Sequence, residues 1–122
     1  HTFAHAIEVK NNYSKNITHG EAVLSGMILA TKLSVIKKVC NKKTLEDLVK
    51  IYNSNNLNYT FVKYKNINKI NNLIPYLKND KKNNDEKINF ILLNKIGKAA
   101  KPNKYKVAIN QLKKDVKQFT RY

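Results

Sequence analysis

One cysteine, two prolines, three glycines and one arginine (Arg121) stand among 122 residues, and there is no tryptophan. With Cys40 alone the chain cannot close an internal disulfide, which fits a reducing, cytoplasmic setting. Cys40 falls just past a helical apolar pattern and reads as an inert packing residue. The three glycines make no glycine-rich phosphate loop, so the usual dinucleotide-binding device is missing. No apolar run approaches the ~20 residues of a membrane span, and no membrane partner is expected. At this length the chain is one domain with a modest core.

Acidic residues are also scarce. Eight aspartates and glutamates face 24 lysines and arginines, a formal net charge of +16. A basic small domain suggests nucleic acid or an anionic surface. Three features argue against that reading. The positive residues are lysines except for Arg121, whereas base-reading surfaces lean on the bidentate guanidinium fork. The lysines are spread along the chain rather than gathered in one tract. Asparagine and isoleucine are abundant too, and AT-rich codons supply all three residue types. No nucleic-acid partner is expected, and a basic nucleic-acid-binding module is kept only as the alternative from a different class. The charge could still draw in a phosphorylated substrate.

Apolar periodicity predicts mostly helix. Phe3, Ala6, Ile7 and Val9 support a short helix over 2–10, and the polar stretch 11–18 reads as a loop. From Gly20 to Lys38 apolar residues are nearly continuous, which predicts a central helix buried on most sides. Thr44 followed by Asp47 reads as an N-cap and acidic first turn of a helix through Tyr52. Residues 53–58 read as a loop. Lys69 to Lys78 looks helical, with Pro75 either kinking it or marking a first turn. Residues 79–87 form a charged loop. Ile88 to Leu93 is the best strand candidate, Gly97 and Pro102 bracket a turn, and Val107 falls in a second short strand. Ile109, Leu112, Val116 and Phe119 recur at helical spacing. The fold class is mainly α, with a small β element near residues 88–107.

All three histidines, His1, His5 and His19, fall in the first sixth of the chain. On a helix, His1 and His5 share a face one turn apart. A loop of about a dozen residues then returns His19 toward them. Neutral imidazole is a good ligand for zinc or iron. Thr2, where zinc proteases carry glutamate after the first histidine, argues against protease chemistry.

These words carry a resemblance. His1-Thr2-Phe3-Ala4-His5-Ala6-Ile7-Glu8, a short loop, and then His19-Gly20-Glu21-Ala22-Val23-Leu24-Ser25-Gly26-Met27 resemble the opening of the C-terminal domain of 3-dehydroquinate synthase. Asp80-Lys81-Lys82-Asn83, the apolar stretch Ile88–Leu93 and Ile96-Gly97 extend it to about residue 98. Ala4 departs from the family, which more often has glycine there. The change touches only local helix packing.

The resemblance implies a helical metal- and substrate-binding C-terminal domain spanning 1–122, separated from an N-terminal NAD-binding domain. The chain opens on the candidate site without a methionine, so a fragment, inactive alone, is expected. The implied reaction belongs to aromatic amino acid biosynthesis. A seven-carbon phosphorylated keto acid is transiently oxidised by NAD, loses phosphate, is reduced again and closes to a carbocycle. A divalent metal, zinc or cobalt, would polarise the substrate oxygens. A homodimer is possible for the full-length enzyme.

Roles follow residue by residue. His1 and His19 are the expected metal ligands, and the resemblance implies a third from a glutamate of the other domain. The plain alternative for His19 is a helix cap. His5 is expected in the site without binding metal, handling a proton or the substrate's phosphate region; the alternative is a core histidine bonded to a carbonyl. Glu21 either hydrogen-bonds a ligand histidine or serves as a favourable first-turn charge. Glu8 could orient His5 or His1, although a solvated helix face is the favoured reading. Lys81 or Lys82 would hold the substrate's phosphate or carboxylate as a point charge, with Asp80 pinning their loop. The nearest rival is the metal-binding domain of iron- or zinc-dependent alcohol and glycerol dehydrogenases, which have a similar His-Gly-Glu turn but no need of the Asp-Lys-Lys loop.

Overall fold

The computed structural model describes residues 2–11, 17–59, 70–78, 87–101 and 105–121. Five helices appear among them: α1 (Thr2–Lys10), α2 (His19–Ile36), α3 (Lys42–Ser54), α4 (Ile74–Lys78) and α5 (Ile109–Gln118). Four short strands lie between the last two: β1 (Lys87–Phe90), β2 (Leu93–Lys95), β3 (Lys98–Ala99) and β4 (Tyr105–Ala108). The mainly α expectation with a β element near 88–107 therefore holds.

α2 is the axle. Its buried positions, among them Ala22, Gly26, Leu29, Lys32 and Leu33, occupy more than one face, because other helices pack on several sides. α1 lies antiparallel to it, Ala4 meeting Gly26 and Glu8 meeting His19. At Gly26 the helices come so close that an added Cβ would fall 2.9 Å from the Ala4 backbone nitrogen and 3.2 Å from the Ala4 Cβ. Phe3 extends the packing outward by stacking on Phe90 of β1, ring centroids 5.1 Å apart.

α3 buries Leu45, Leu48 and Tyr52 at helical spacing. Its cap differs from the sequence expectation. Asn41, not Thr44, is the N-cap, and its side-chain oxygen accepts from the Thr44 backbone N–H at 3.2 Å. Thr44 is the third residue of the helix, so the capping signal lies three residues upstream of it. Tyr52 ties α3 to α2 by donating its hydroxyl proton to the Leu24 carbonyl at 3.1 Å.

The far end of α2 is held by the C-terminal elements. Lys32 is buried and donates to the Phe119 carbonyl at 3.2 Å. The Lys37 ammonium lies 2.7 Å from Asp115 Oδ2, a charge contact, while Gln111 donates to Asp115 Oδ1 at 3.0 Å. Ser34 Oγ accepts from the Leu93 N–H at 3.0 Å, fixing the start of β2.

The predicted strand over 88–93 is broken in two. β1 pairs antiparallel with β4, Ile88 opposite Val107 and Phe90 opposite Tyr105, and the pairing ends at Phe90. Leu92 turns inward, its carbonyl accepting from Ala100 N–H at 2.7 Å, and β2 then pairs with β3. A continuous apolar run cannot distinguish one strand from two when a buried corner residue sits between them. Gly97 turns the hairpin at φ +81°. Of the expected helix Lys69–Lys78, Lys69 lies outside the described residues, 70–71 are helical, 72–73 form a turn, and α4 follows with Pro75 as its second residue, so the proline marks a first turn. The expected loop across 79–87 and the turn at Pro102 lie outside the described residues, save Lys87, which opens β1.

The close crossing makes Gly26 intolerant of a larger residue. Gly26→Ala gains up to ~1 kcal/mol of helix propensity, but overpacking costs about 1–3 kcal/mol. The Ala4 backbone cannot rotate aside, so the clash dominates. The urea midpoint is expected to fall with an unchanged slope.

Tyr52 supplies a second prediction. Burial pushes its phenol up to about 12, against ~10 for an exposed tyrosine. A raised folded value means stability fully present below pH ~10 and lost as pH rises toward about 12. Tyr52→Phe is expected to cost about 1 kcal/mol near neutrality through the lost hydrogen bond. Across that alkaline window the wild type should lose its advantage, which paired pH-dependent melts would read.

Candidate functional site

The N-terminus of α2 is built from four residues. Thr18 is the N-cap, and its hydroxyl accepts from the Glu21 N–H at 3.1 Å. Glu21 Oε2 accepts in return from the Thr18 N–H at 3.3 Å, which closes a capping box. His19 is therefore the first residue of the helix and not its cap. Thr18-His19-Gly20-Glu21 is the T-x-x-E signature that would have located this start from sequence.

His19 turns back onto α1. Its Nδ1 lies 3.2 and 3.1 Å from the two carboxylate oxygens of Glu8. A carboxylate only accepts, so Nδ1 carries the proton. In the neutral ring Nε2 then bears the lone pair, the tautomer that a metal-ligating imidazole uses when a carboxylate stands behind it. The imidazole side chain is 65% exposed, whereas that of Glu8 is 13% exposed. The acid is thus half-sunk at the helix hairpin and the base is presented outward. Glu8 is only 13% exposed, which departs from the favoured solvated-face reading, and among the described residues it meets the His19 imidazole; His1, one of the partners expected for it, lies outside the described residues. The close helix crossing brings residues 8 and 19 together, which spacing along either helix alone does not reveal.

His5 is on the outer face of α1 and exposed, which excludes the core-histidine alternative. It precedes Glu8 by three residues, so the two are neighbours on the helix surface. Among the described residues Glu21 meets Thr18 and Asn58 and not His19. Its carboxylate is occupied by Thr18 and by Asn58, whose Nδ2 donates to Oε1 at 3.0 Å. The third residue of a helix curls back toward its own cap, which carries Glu21 away from the imidazole. Asn58 was missed, and no local pattern in 53–59 signals it, because the bond spans 37 residues.

His1, Asp80, Lys81 and Lys82 lie outside the described residues. Among the described residues no group of three or more His, Cys, Asp or Glu side chains is placed to hold a metal ion. They supply one donor of the right kind, His19 with its carboxylate support, and so fit a metal centre completed by other residues. Cys40, in the turn before α3, has its thiol pushed up by burial, a hydrogen bond with Thr44 opposing the shift. This suits the inert role read from sequence. No helix among the described residues is long and apolar enough to cross a membrane.

Comparison with known proteins points one way. A family model described as 3-dehydroquinate synthase C-terminal matches residues 1–83, a stretch holding every candidate site residue. A 3-dehydroquinate synthase of Pelagibacter ubique is 39% identical over 111 residues, covering 91% of this chain and 29% of the relative. One from Endomicrobium trichonymphae is 38% identical over 114 residues, covering 93% and 30%. The chain thus spans under a third of the length of these curated relatives. Among solved structures, a 2-deoxy-scyllo-inosose synthase complexed with carbaglucose-6-phosphate, NAD+ and Co2+ superposes with a TM-score of 0.71. It is 25% identical, and the match covers 97% of this chain and 33% of that one.

The geometry predicts a tautomer. In Glu8→Ala the carboxylate that holds the Nδ1 proton is gone. At alkaline pH, long-range proton–nitrogen spectra of the imidazoles should show His19 losing Nδ1–H character, with His5 unchanged. An unaltered His19 pattern would contradict the assignment.

Proposed function

The chain belongs to the 3-dehydroquinate synthase family, matching its C-terminal domain, and from this premise we propose that the protein carrying it is a 3-dehydroquinate synthase. In that reading residues 1–122 form the metal- and substrate-binding domain, and an upstream domain binds NAD. The reaction converts a phosphorylated seven-carbon keto acid to 3-dehydroquinate with loss of phosphate, in the cytoplasm, with a homodimer possible. The observation that carries the reading is the Glu8–His19 pair inside the matched stretch. It is the carboxylate-supported imidazole that a catalytic metal centre requires. The solved neighbour is described with NAD+, Co2+ and a sugar-phosphate analogue, which favours the same cofactors here. An alcohol or glycerol dehydrogenase is disfavoured because the relatives named above are synthases.

When bound, a divalent ion, zinc or cobalt, supplies Lewis-acid polarisation of the substrate oxygens, and NAD supplies a temporary hydride acceptor. His1 and His19 would hold the ion, joined by a carboxylate of the upstream domain. Glu8 fixes the His19 ring plane and raises the basicity of Nε2 by accepting from Nδ1–H. His5, exposed on the same helix, would accept or return a proton at a ring nitrogen. Lys81 or Lys82 would bind the phosphate or carboxylate as a point charge. The positive charge of the whole chain favours approach of such an anion.

The test uses the full-length protein. Phosphate release from the heptulosonate phosphate with NAD should stop on chelation and return with added metal. His19→Ala should lower it more than about 100-fold, since losing a ligand exceeds the ~10–100-fold effect typical of its supporting groups. Chelator-sensitive oxidation of glycerol instead would move the protein to the dehydrogenases. Turnover of a hexose 6-phosphate would move it to the branch of its structural neighbour.

A further inference from the structure

His19 is set by two carboxylates, and only one of them touches it. Glu8 holds the ring from α1. Glu21 holds the backbone beneath it through the capping box with Thr18. A capping box at an exposed helix start frays readily, because each bond competes with water. Here a third tether comes from another element. Asn58 lies four residues past the end of α3 and donates Nδ2–H to Glu21 Oε1 at 3.0 Å, while Oε2 takes the Thr18 N–H. The carboxylate is split between its own cap and a distant segment.

That segment is itself fastened. The Leu57 N–H donates to the Tyr52 carbonyl at 3.0 Å, and the Tyr59 hydroxyl donates to Asn53 Oδ1 at 2.6 Å. The Tyr59 ring packs against Tyr52, centroids 5.4 Å apart. Asn58 is therefore presented from the buried Tyr52 side of α3, and Tyr52 is bonded to the Leu24 carbonyl of α2. The first turn of α2 is held from α1 on one side and from the tail of α3 on the other.

We propose that Asn58 is a positioning residue for His19: by holding Glu21 it fixes the first turn of α2 and so the direction in which the imidazole meets the metal. This rests on the reading of His19 as a ligand given above. Asn58 touches neither metal nor substrate in this reading. It is exposed, so its bond adds little to global stability. Its effect is on geometry at a site where supporting hydrogen bonds tune affinity.

The experiment measures cobalt(II) affinity of the metal-free full-length protein by competition with a chelating indicator, alongside thermal unfolding. The proteins are wild type, His19→Ala, Asn58→Ala, Asn58→Asp and the double variant Glu21→Gln/Asn58→Asp. Asn58→Ala is expected to weaken cobalt binding about tenfold with the melting temperature nearly unchanged. Asn58→Asp should weaken it further, because two carboxylates then face each other. The double variant restores the bond with donor and acceptor exchanged. The amide introduced on α2 donates to the carboxylate introduced after α3, and most of the loss should be recovered.

If His19→Ala abolishes binding while both single Asn58 variants bind as wild type does, the positioning role is overturned and the metal-ligand reading stands. If wild type binds no cobalt, or His19→Ala binds as well as wild type, the ligand reading fails and takes this inference with it. Should Asn58→Ala not fold, recovery in the double variant relative to Asn58→Asp still decides the question, absence of recovery overturning the role.

Discussion

The contact on which the structure depends is the one between Ala4 and Gly26. Two antiparallel helices approach so closely there that Gly26 has no room for a methyl group. Such a contact works as a register pin. Sliding α1 along α2 by one residue would drive a Cβ into backbone. The pin lies seven residues from His19 and four from Glu8, roughly 10.5 and 6 Å along the two helix axes at ~1.5 Å per residue. The axial mismatch is about 4.5 Å on that rise, and the glutamate carboxylate of residue 8 reaches His19 Nδ1 at 3.1 Å. The Ala4 methyl occupies the space that a Cβ at Gly26 would need. The cost falls on tolerance at Gly26, and the geometry of the site is preserved.

Electrostatics agree with the packing. Glu8 is near the C-terminal end of α1, where the helix dipole disfavours a negative charge. The antiparallel arrangement places it beside the N-terminal end of α2, which favours one. Glu21 benefits from the same end of the same helix. The first turn of α2 is thus a positive pole met by two carboxylates, one through the imidazole and one through the cap. The opposite end of α2 is anchored by different means: buried Lys32 on the Phe119 carbonyl, Lys37 against Asp115, and Ser34 on Leu93. The axle is fixed at its far end by buried polar contacts, leaving its near end at the surface, where chemistry can reach it.

What could be read from the sequence divides along the range of the interactions. α1 and α5 are legible from apolar residues recurring at helical spacing, and α2 from an apolar run too long for a strand. The family words singled out His19, and the structure sets it against Glu8. Caps are harder to read: Asn41 and Thr18 hold α3 and α2, yet Thr44 imitates the first signal and the histidine that follows Thr18 draws attention from the second. The break between β1 and β2 was not legible, because Leu92 is apolar whether it continues a strand or turns into the core. The partners of Glu8 and Glu21 were hidden for a deeper reason. Glu8–His19 depends on the helix crossing, and Glu21–Asn58 joins segments 37 residues apart. No period or motif encodes such pairs.

This division bears on what holds Glu8 beside His19. If the loop set the distance between Glu8 and His19, each insertion would shift the helix register and separate the pair. Here packing sets the distance, through Ala4 on Gly26, and the cap sets the start of α2, through Thr18 and Glu21. A loop between two ends already fixed by the fold adds only closure entropy, which grows slowly with length, ~0.6 kcal/mol per doubling. The number of residues between 11 and 17 therefore does not set where Glu8 and the cap hold the His19 imidazole.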